Sequence, residues 1–415
     1  MRAGKKQQRS LSRALTSLIA PTTPKARPKA AAKPRVAAKP KAVAKPKSPV
    51  VAKAKIIPSA ASTSGNFGWP APTAGRVAKP VAKVRATAPR SVAAAPKASK
   101  PPVAAKQAPL PGKWLAAQYA GQFDQGSLAR HLRYWLYIPS TAPVSRLDGP
   151  GMPLVVMLHG CEQSATQFAD GSRMNRLAEA AGCAVLYPQQ SITAHAHRCW
   201  KWYERATQNG GGDVPLIVGI VRQVAERYPV DRSRIYIGGI SAGAAMAHIT
   251  ALNHPDMFAA VGLHSSPMFG AGHSPMGALG VMQHGALTRV DGAMAEVMQK
   301  HPGFPALPAI LIQGEDDKIV RPINQTQLVR QEMLVNHLSA ANKVIVTDKA
   351  ASKRTHAYRL RDVYQGRKVM LRVASIASLG HAWSGGDDEF KFNSRPGPDA
   401  SKMMLAFFAR HRRTG

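Results

Sequence analysis

The chain has no acidic residue before Asp124. Residues 1–113 hold 25 of the 57 lysines and arginines and 17 of the 33 prolines. Alanine offers little apolar area, lysines repel one another and proline interrupts helices and sheets, so this segment cannot offset the entropy cost of ordering. We therefore predict a disordered basic tail over residues 1–113.

Such a tail is expected to bind polyanions by releasing their counterions. Nucleic acid, an anionic membrane surface and a coated storage granule are the three alternatives, and a spacer without a partner is the fourth. Nothing in the tail is built to read bases, so we expect any nucleic-acid binding to be non-specific.

Cysteines and long apolar runs are also scarce. Cys161, Cys183 and Cys199 are too few for a disulfide framework or a zinc site, although one pair is possible. No run reaches the length of a transmembrane helix. Arg13 interrupts the apolar run that a secretory signal peptide would need. We therefore expect a cytoplasmic protein, with an extracellular one as the alternative.

From residue 114 the chain alternates between strand-like and helix-like segments. The apolar, strand-like runs are 132–138, 153–158, 184–187, 234–237, 258–263, 309–312, 357–363 and 368–376. The helix-like segments are 165–181, 215–228, 244–253 and 400–412. This alternation predicts an α/β domain over residues 114–415, with a mostly parallel sheet covered by helices on both faces. Residues 267–303 are rich in glycine, methionine and histidine and predict a cap or lid insertion.

The six residues Gly238-Gly239-Ile240-Ser241-Ala242-Gly243 lie between a predicted strand and a predicted helix. G-x-S-x-G in this context is typical of the nucleophile elbow of α/β-hydrolases. We therefore predict the α/β-hydrolase fold, with Ser241 as nucleophile. The alternative is a glycine-rich turn with an incidental serine.

A serine nucleophile needs a base and an acid, which follow it in chain order on this fold as acid and then histidine. Asp317 follows the strand at 309–312 and is the predicted acid, while Glu315 and Asp316 fit better as an acidic turn that caps the helix starting near Pro322. His381, in a glycine-flanked loop, is the predicted base and is favoured over His356.

The oxyanion hole is expected from two backbone N–H groups, one of them that of Ala242. The other should come from Cys161 or Glu162, in a loop where Gly160 permits the turn. His159 of the same loop is expected to have a structural role. Three tryptophans are predicted to contact substrate: Trp200, Trp202 and Trp383. Core packing is the alternative for the pair Trp200 and Trp202.

Together these motifs resemble the polyhydroxybutyrate-depolymerase family of esterases, over roughly residues 115–410. The matching segments are the elbow, the loop of His159, Gly212-Asp213-Val214, Val230-Asp231, the run Arg198-Cys199-Trp200-Lys201-Trp202 and the loop Gly380–Gly386. The chain departs from the family at Lys201, at Glu315-Asp316 and in its basic tail.

The resemblance implies a cofactor-free and metal-free serine esterase. Its triad would be Ser241, Asp317 and His381, with Cys161 as the second oxyanion donor and a Cys161–Cys199 disulfide if the protein is exported. The expected substrate is poly(3-hydroxybutyrate), its oligomers or other short-chain hydroxyacyl esters. A feruloyl or acetylxylan esterase of the same fold is the alternative.

Overall fold

The structure is a computed structural model that describes residues 109–121, 130–145, 147, 149, 151–286 and 289–414. The predicted tail lies outside the described residues as far as residue 108. Its last residue, Lys113, begins the first strand, so the predicted boundary falls at the start of an ordered element.

The described residues form a sheet-based fold with helices between the strands. The strands are β1 (Lys113–Gly121), β2 (Arg130–Ile138), β3 (Met152–Leu158), β4 (Ala184–Gln189), β5 (Val230–Ile240), β6 (Ala260–His264), β7 (Ala309–Gly314), β8 (Val344–Lys349), β9 (Tyr358–Gln365), β10 (Lys368–Ile376), β11 (Trp383–Ser384) and β12 (Asn393–Ser394). The helices are α1 (Ala165–Ser172), α2 (Met174–Ala181), α3 (Arg205–Gln208), α4 (Val214–Arg227), α5 (Ala242–Asn253), α6 (Pro275–His284), α7 (Val290–Lys300), α8 (Ile323–Val335) and α9 (Ala400–Phe408).

Ten strands form one sheet in the order β1-β2-β4-β3-β5-β6-β7-β10-β9-β8. The six central strands, from β4 to β10, are parallel to one another, and antiparallel strands extend the sheet at both edges. The prediction of a mostly parallel sheet is therefore confirmed. The site-bearing loops all leave the carboxyl ends of these central strands, where open α/β sheets bind their ligands.

Both faces of the sheet carry a core, because successive side chains of a strand point to opposite faces. In β3, Leu154 and Val156 belong to one apolar cluster, whereas Val155 and Met157 belong to the other. Helices α4, α5 and α8 cover the first face, and α1, α2 and α9 cover the second. This double burial explains why the central strands read as continuous apolar runs.

The helix predicted over 165–181 is two helices, which is a correction. Arg173 separates α1 from α2 with a left-handed backbone (φ 56°). Its guanidinium donates to the carbonyl oxygen of Gly385 and lies 3.8 Å from the Asp399 carboxylate. These contacts reach a segment far away in sequence, so local periodicity could not show the break.

Two strands at the sheet edges were not predicted. β1 alternates exposed and half-buried residues that are mostly small or polar, and β8 is exposed or half-buried along its whole length. β1 lacks the apolar pattern of a strand buried against a core, whereas β8 begins with the β-branched run Val344-Ile345-Val346, a strand signal that the prediction left out.

The segment 267–303 connects β6 to β7 and contains α6 and α7. Ala293, Met294 and Val297 of α7 are buried in the core of the first face. The segment is therefore packed onto the domain, and α6 reaches the pocket described below.

Candidate active site

Ser241 lies at the sharp turn between β5 and α5. Its backbone has φ 57° and ψ −125°, a combination that non-glycine residues rarely adopt, and its N–H donates to the carbonyl oxygen of His264 (2.9 Å). The surrounding structure holds this strain, as it does in nucleophile elbows.

The glycines on either side of Ser241 are required by packing. A Cβ at Gly239 or at Gly243 would lie inside van der Waals contact of the carbonyl oxygen of Leu158, at the end of β3. Strand, turn and helix therefore approach one another only because both side chains are missing.

Asp317 follows β7 and is buried. Its Oδ1 accepts from the N–H groups of Ile319 and Val320 (both 2.9 Å), and its Oδ2 accepts from Nε2 of Gln313 (3.1 Å). Burial alone would raise the pKa of Asp317, but the charge and hydrogen bond of His381, with these two amides, lower the pKa below its ordinary value. The carboxylate is thus kept ionised.

His381 lies in the loop after β10, with Nδ1 2.8 Å from Oδ2 of Asp317. Because an ionised carboxylate only accepts, Nδ1 is the donor in this bond, and in the neutral ring the lone pair is then on Nε2. The N–H of Asp316 donates to the carbonyl oxygen of Leu379 (3.1 Å), so the acid loop and the histidine loop are also joined through their backbones. His381 and Ser241 line the same pocket.

The other candidates lie elsewhere. Glu315 and Asp316 are exposed, and the N–H of His356 donates to the carbonyl oxygen of Gly397 (2.8 Å). His337, a further histidine between Asp317 and His381, is exposed after α8. None of these four lines the pocket.

The loop after β3 carries Cys161 and Glu162, the two alternatives predicted for one oxyanion donor. The N–H of Glu162 donates to the carbonyl oxygen of His197 (2.7 Å), and that of Gly160 donates to Oε1 of Gln163 (2.9 Å). Because the N–H of Glu162 already donates to His197, Cys161 is the better candidate of the two for the oxyanion donor. Ala242 is the first residue of α5, where a helix leaves its N–H groups without an intrahelical acceptor.

Cys161 and Cys199 form a disulfide with a Cα–Cα distance of 4.3 Å. This bond joins the loop after β3 to the segment that carries Trp200 and Trp202. Both cysteines line the pocket, so the disulfide is part of its wall.

His159 is fully buried behind this loop. Its Nδ1 donates to the carbonyl oxygen of Gly160 (2.8 Å), and its Nε2 accepts from the N–H of Gln190 (3.1 Å). Burial lowers the pKa of His159 to about 4, so the ring is neutral near neutral pH. These contacts are those of a structural histidine, as expected.

The pocket between these segments spans about 730 Å³ of empty space when its open mouth is included. Among the described residues that line it, polar side chains come from Gln163, Tyr203, Ser241 and His381. The other lining residues are apolar, cysteine or glycine: Gly160, Cys161, Cys199, Trp200, Trp202, Ile240, Ala242, Pro275, Ala278, Met282, Ile319 and Phe392.

Trp200 and Trp202 line the pocket, but Trp383 does not. Trp383 is fully buried between the rings of His264 and Phe168, and its Nε1 donates to Oγ of Ser401 (3.1 Å). Its assignment as a substrate-contacting residue is therefore corrected to core packing.

His264 is a residue that the sequence analysis missed. Its carbonyl oxygen holds the N–H of Ser241, and its Nε2 accepts from the N–H of Ser384 (3.2 Å), three residues after His381. Burial, followed by the charge of His381, lowers the pKa of His264 to about 3. Its Nε2 therefore stays unprotonated near neutral pH and can accept the hydrogen bond from Ser384. A histidine at the end of a strand has no sequence signature for this role.

Across the described residues, no group of three or more histidine, cysteine, aspartate or glutamate side chains is arranged to hold a metal ion. Nor does that part of the chain contain a helix of the length and hydropathy needed to span a membrane.

The sheet order and the strand–serine–helix turn define an α/β-hydrolase. A solved structure, the acetyl xylan esterase from Aspergillus awamori, shares this fold with a TM-score of 0.56 at 19% sequence identity, covering 71% of this chain and 99% of that one. The chain belongs to the family described as Esterase PHB depolymerase, whose model matches residues 132–357. This is a family of carboxylic ester hydrolases.

Several characterised relatives are similar to part of the chain. Poly(3-hydroxyalkanoate) depolymerase C from Paucimonas lemoignei is 28% identical over 210 residues, which cover 50% of this chain and 49% of that protein. Feruloyl esterase B from Thermothelomyces thermophilus is 30% identical over 158 residues, 38% of this chain and 51% of the relative. Acetylxylan esterase A from Aspergillus oryzae is 30% identical over 139 residues, 33% and 42% respectively. The chain thus spans about half the length of these relatives.

Proposed function

We propose that the chain hydrolyses carboxylic esters, with Ser241 as nucleophile, His381 as general base and Asp317 as the group that orients His381. The observation that carries this proposal is the 2.8 Å bond between His381 and Asp317, with His381 and Ser241 on the wall of one pocket. In this proposal residues 114–415 are the catalytic domain, 267–303 its cap and 1–113 a separate basic tail.

The reaction follows from these positions. Nε2 of His381 takes the proton of the Ser241 hydroxyl as Oγ attacks the ester carbon, and ionised Asp317 stabilises the imidazolium that forms. The N–H groups of Cys161 and Ala242 hold the negative oxygen of the tetrahedral intermediate. His381 then gives its proton to the departing alcohol, which leaves an acyl group on Ser241.

Water completes the cycle. Nε2 of His381 takes a proton from a water molecule whose oxygen attacks the acyl carbon. Collapse of the second intermediate breaks the bond to Oγ, which recovers its proton from His381. The products are the carboxylic acid and the free enzyme.

We propose poly(3-hydroxybutyrate), its oligomers or related short hydroxyacyl esters as substrates. The depolymerase from Paucimonas lemoignei and the mostly apolar pocket support this choice. Feruloyl and acetylated-xylan esters are the alternative, which the other two relatives support. Hydrolysis rates on a panel of these five substrate types would distinguish the alternatives.

Replacing Ser241 with alanine tests the mechanism. We expect Ser241→Ala to lower kcat on p-nitrophenyl butyrate by at least about a thousandfold, because no acyl-enzyme can form. The matched control is Ser339→Ala at an exposed turn, which should keep wild-type turnover. Retention of activity by a folded Ser241→Ala protein would contradict the assignment.

We also propose that the tail at residues 1–113 binds polyanions without sequence preference. Its 25 basic and no acidic side chains support this role. The full chain should retard a DNA duplex on a gel at low salt and release it as salt rises. A variant with glutamine in place of the lysines of residues 25–55 should release the duplex at lower salt. Absence of retardation at low salt would refute binding of nucleic acid.

A further inference from the structure

Helix α6 of the insertion forms one wall of the pocket. Pro275, Ala278 and Met282 line the pocket, at the i, i+3 and i+7 spacing that places side chains on one helix face. Met282 is 6% exposed, whereas Met276 of the same helix is 57% exposed. The helix thus presents a small, apolar face to the serine and its opposite face to solvent.

This wall is fixed to the loop that carries the acid. Nε2 of Gln283 donates to the carbonyl oxygens of Lys318 and Ile319 (both 3.0 Å). The carbonyl oxygen of Met282 accepts from the N–H of Arg321 and from Nδ2 of Asn324 (both 2.9 Å). Four hydrogen bonds therefore hold the end of α6 that carries Met282, so the backbone from which its side chain enters the pocket wall is fixed.

The two parts of an ester place different demands on a pocket. The alcohol must leave so that water can take its place, whereas the acyl group stays bonded to Ser241 until deacylation. The part of the pocket lined by Pro275, Ala278 and Met282, the recess, is apolar and therefore suits the acyl chain, and the open mouth suits the alcohol and water. The recess offers few polar groups to pair with a sugar ring.

We propose that Met282, with Ala278 beside it, sets the longest acyl chain that the enzyme accepts, and so restricts the substrates to esters of short aliphatic acids. This inference rests on the proposed function, because it requires an acyl group on Ser241. In a pocket of fixed width, one extra or missing methylene changes kcat/KM by about tenfold to two-hundredfold.

The test measures kcat/KM for p-nitrophenyl acetate, butyrate, hexanoate and octanoate. In Met282→Ala, the octanoate-to-acetate ratio should rise by at least about tenfold. In Ala278→Leu, which narrows the recess, the ratio should fall. Met276→Ala is the matched control, since it removes the same side chain from the exposed face of α6 and should leave the ratio unchanged.

Met282→Val takes the place of Met282→Ala if the alanine variant does not fold, and the same rise is expected from it. An unchanged ratio in the folded Met282 variant, or an equal rise in Met276→Ala, would overturn the inference. Those outcomes leave the proposed function intact if Ser241→Ala is inactive. Activity of Ser241→Ala would instead refute the proposed function itself.

Discussion

At the scale of single residues, His264 connects the two loops that the proposed reaction needs. Its carbonyl oxygen accepts a hydrogen bond from the N–H of Ser241, and its ring Nε2 accepts one from the N–H of Ser384. The ring also stacks on Trp383, with 5.1 Å between the ring centres. The ring makes no contribution to proton transfer in this scheme. Its role is to position the loop that carries His381.

Two variants of similar size separate this hydrogen bond from packing. Glutamine at position 264 keeps an acceptor near the position of Nε2, methionine does not, and both lose the stack on Trp383. We expect kcat of His264→Met to be about tenfold below that of His264→Gln, with KM little changed, because misplacing a catalytic loop slows chemistry more than binding. Steady-state kinetics on p-nitrophenyl butyrate measures the difference. Equal kcat values would show that the acceptor is not needed.

Sequence motifs indicated Ser241, Asp317 and His381 as the candidate site, because each follows a strand whose apolar run is easy to recognise. They did not reveal His264 or the orientation of Trp383. Both depend on which neighbours meet at the end of a strand, and those neighbours come from segments more than a hundred residues apart.

At the scale of elements, the strands buried on both faces could be predicted from apolar runs, but the edge strands β1 and β8 were missed. β8 pairs with β9 and leaves Val344, Ile345 and Val346 exposed, so its short β-branched run indicates a strand but not a place in the core. The break between α1 and α2 was likewise hidden, because a contact from Arg173 to the loop after β11 stabilises it. Pairing and long-range contact, rather than local propensity, decided these elements.

At the scale of the whole molecule, three buried histidines make stability depend on pH. Burial is the main cause that lowers the pKa of His159 and of His411 to about 4 and that of His264 to about 3. The unfolded chain binds a proton at each below a pH of about 6.5, whereas the folded chain does not until near its lowered pKa. The free energy of unfolding should therefore fall as pH drops from about 6.5 towards about 4, by about 1.4 kcal/mol per pH unit for each histidine.

Urea unfolding at about pH 6 and about pH 5 measures this slope. We expect His411→Gln to reduce it by about 1.4 kcal/mol per pH unit, because one proton of the difference is removed. His337→Gln, at an exposed site, is the matched control and should leave the slope as it is. A slope in His411→Gln equal to that of the wild type would contradict the linkage.

The hydrogen bonds from Gln283 to the acid loop have a consequence for redesign of the enzyme. The same short segment carries Asp317 and anchors the end of α6, so a designer can exchange the side chains on the inner face of that helix while leaving the position of the carboxylate untouched. Moving the helix itself, by changing its length or its register, would displace the carboxylate as well. Selectivity of this pocket is therefore open to substitution of side chains but resistant to insertion or deletion.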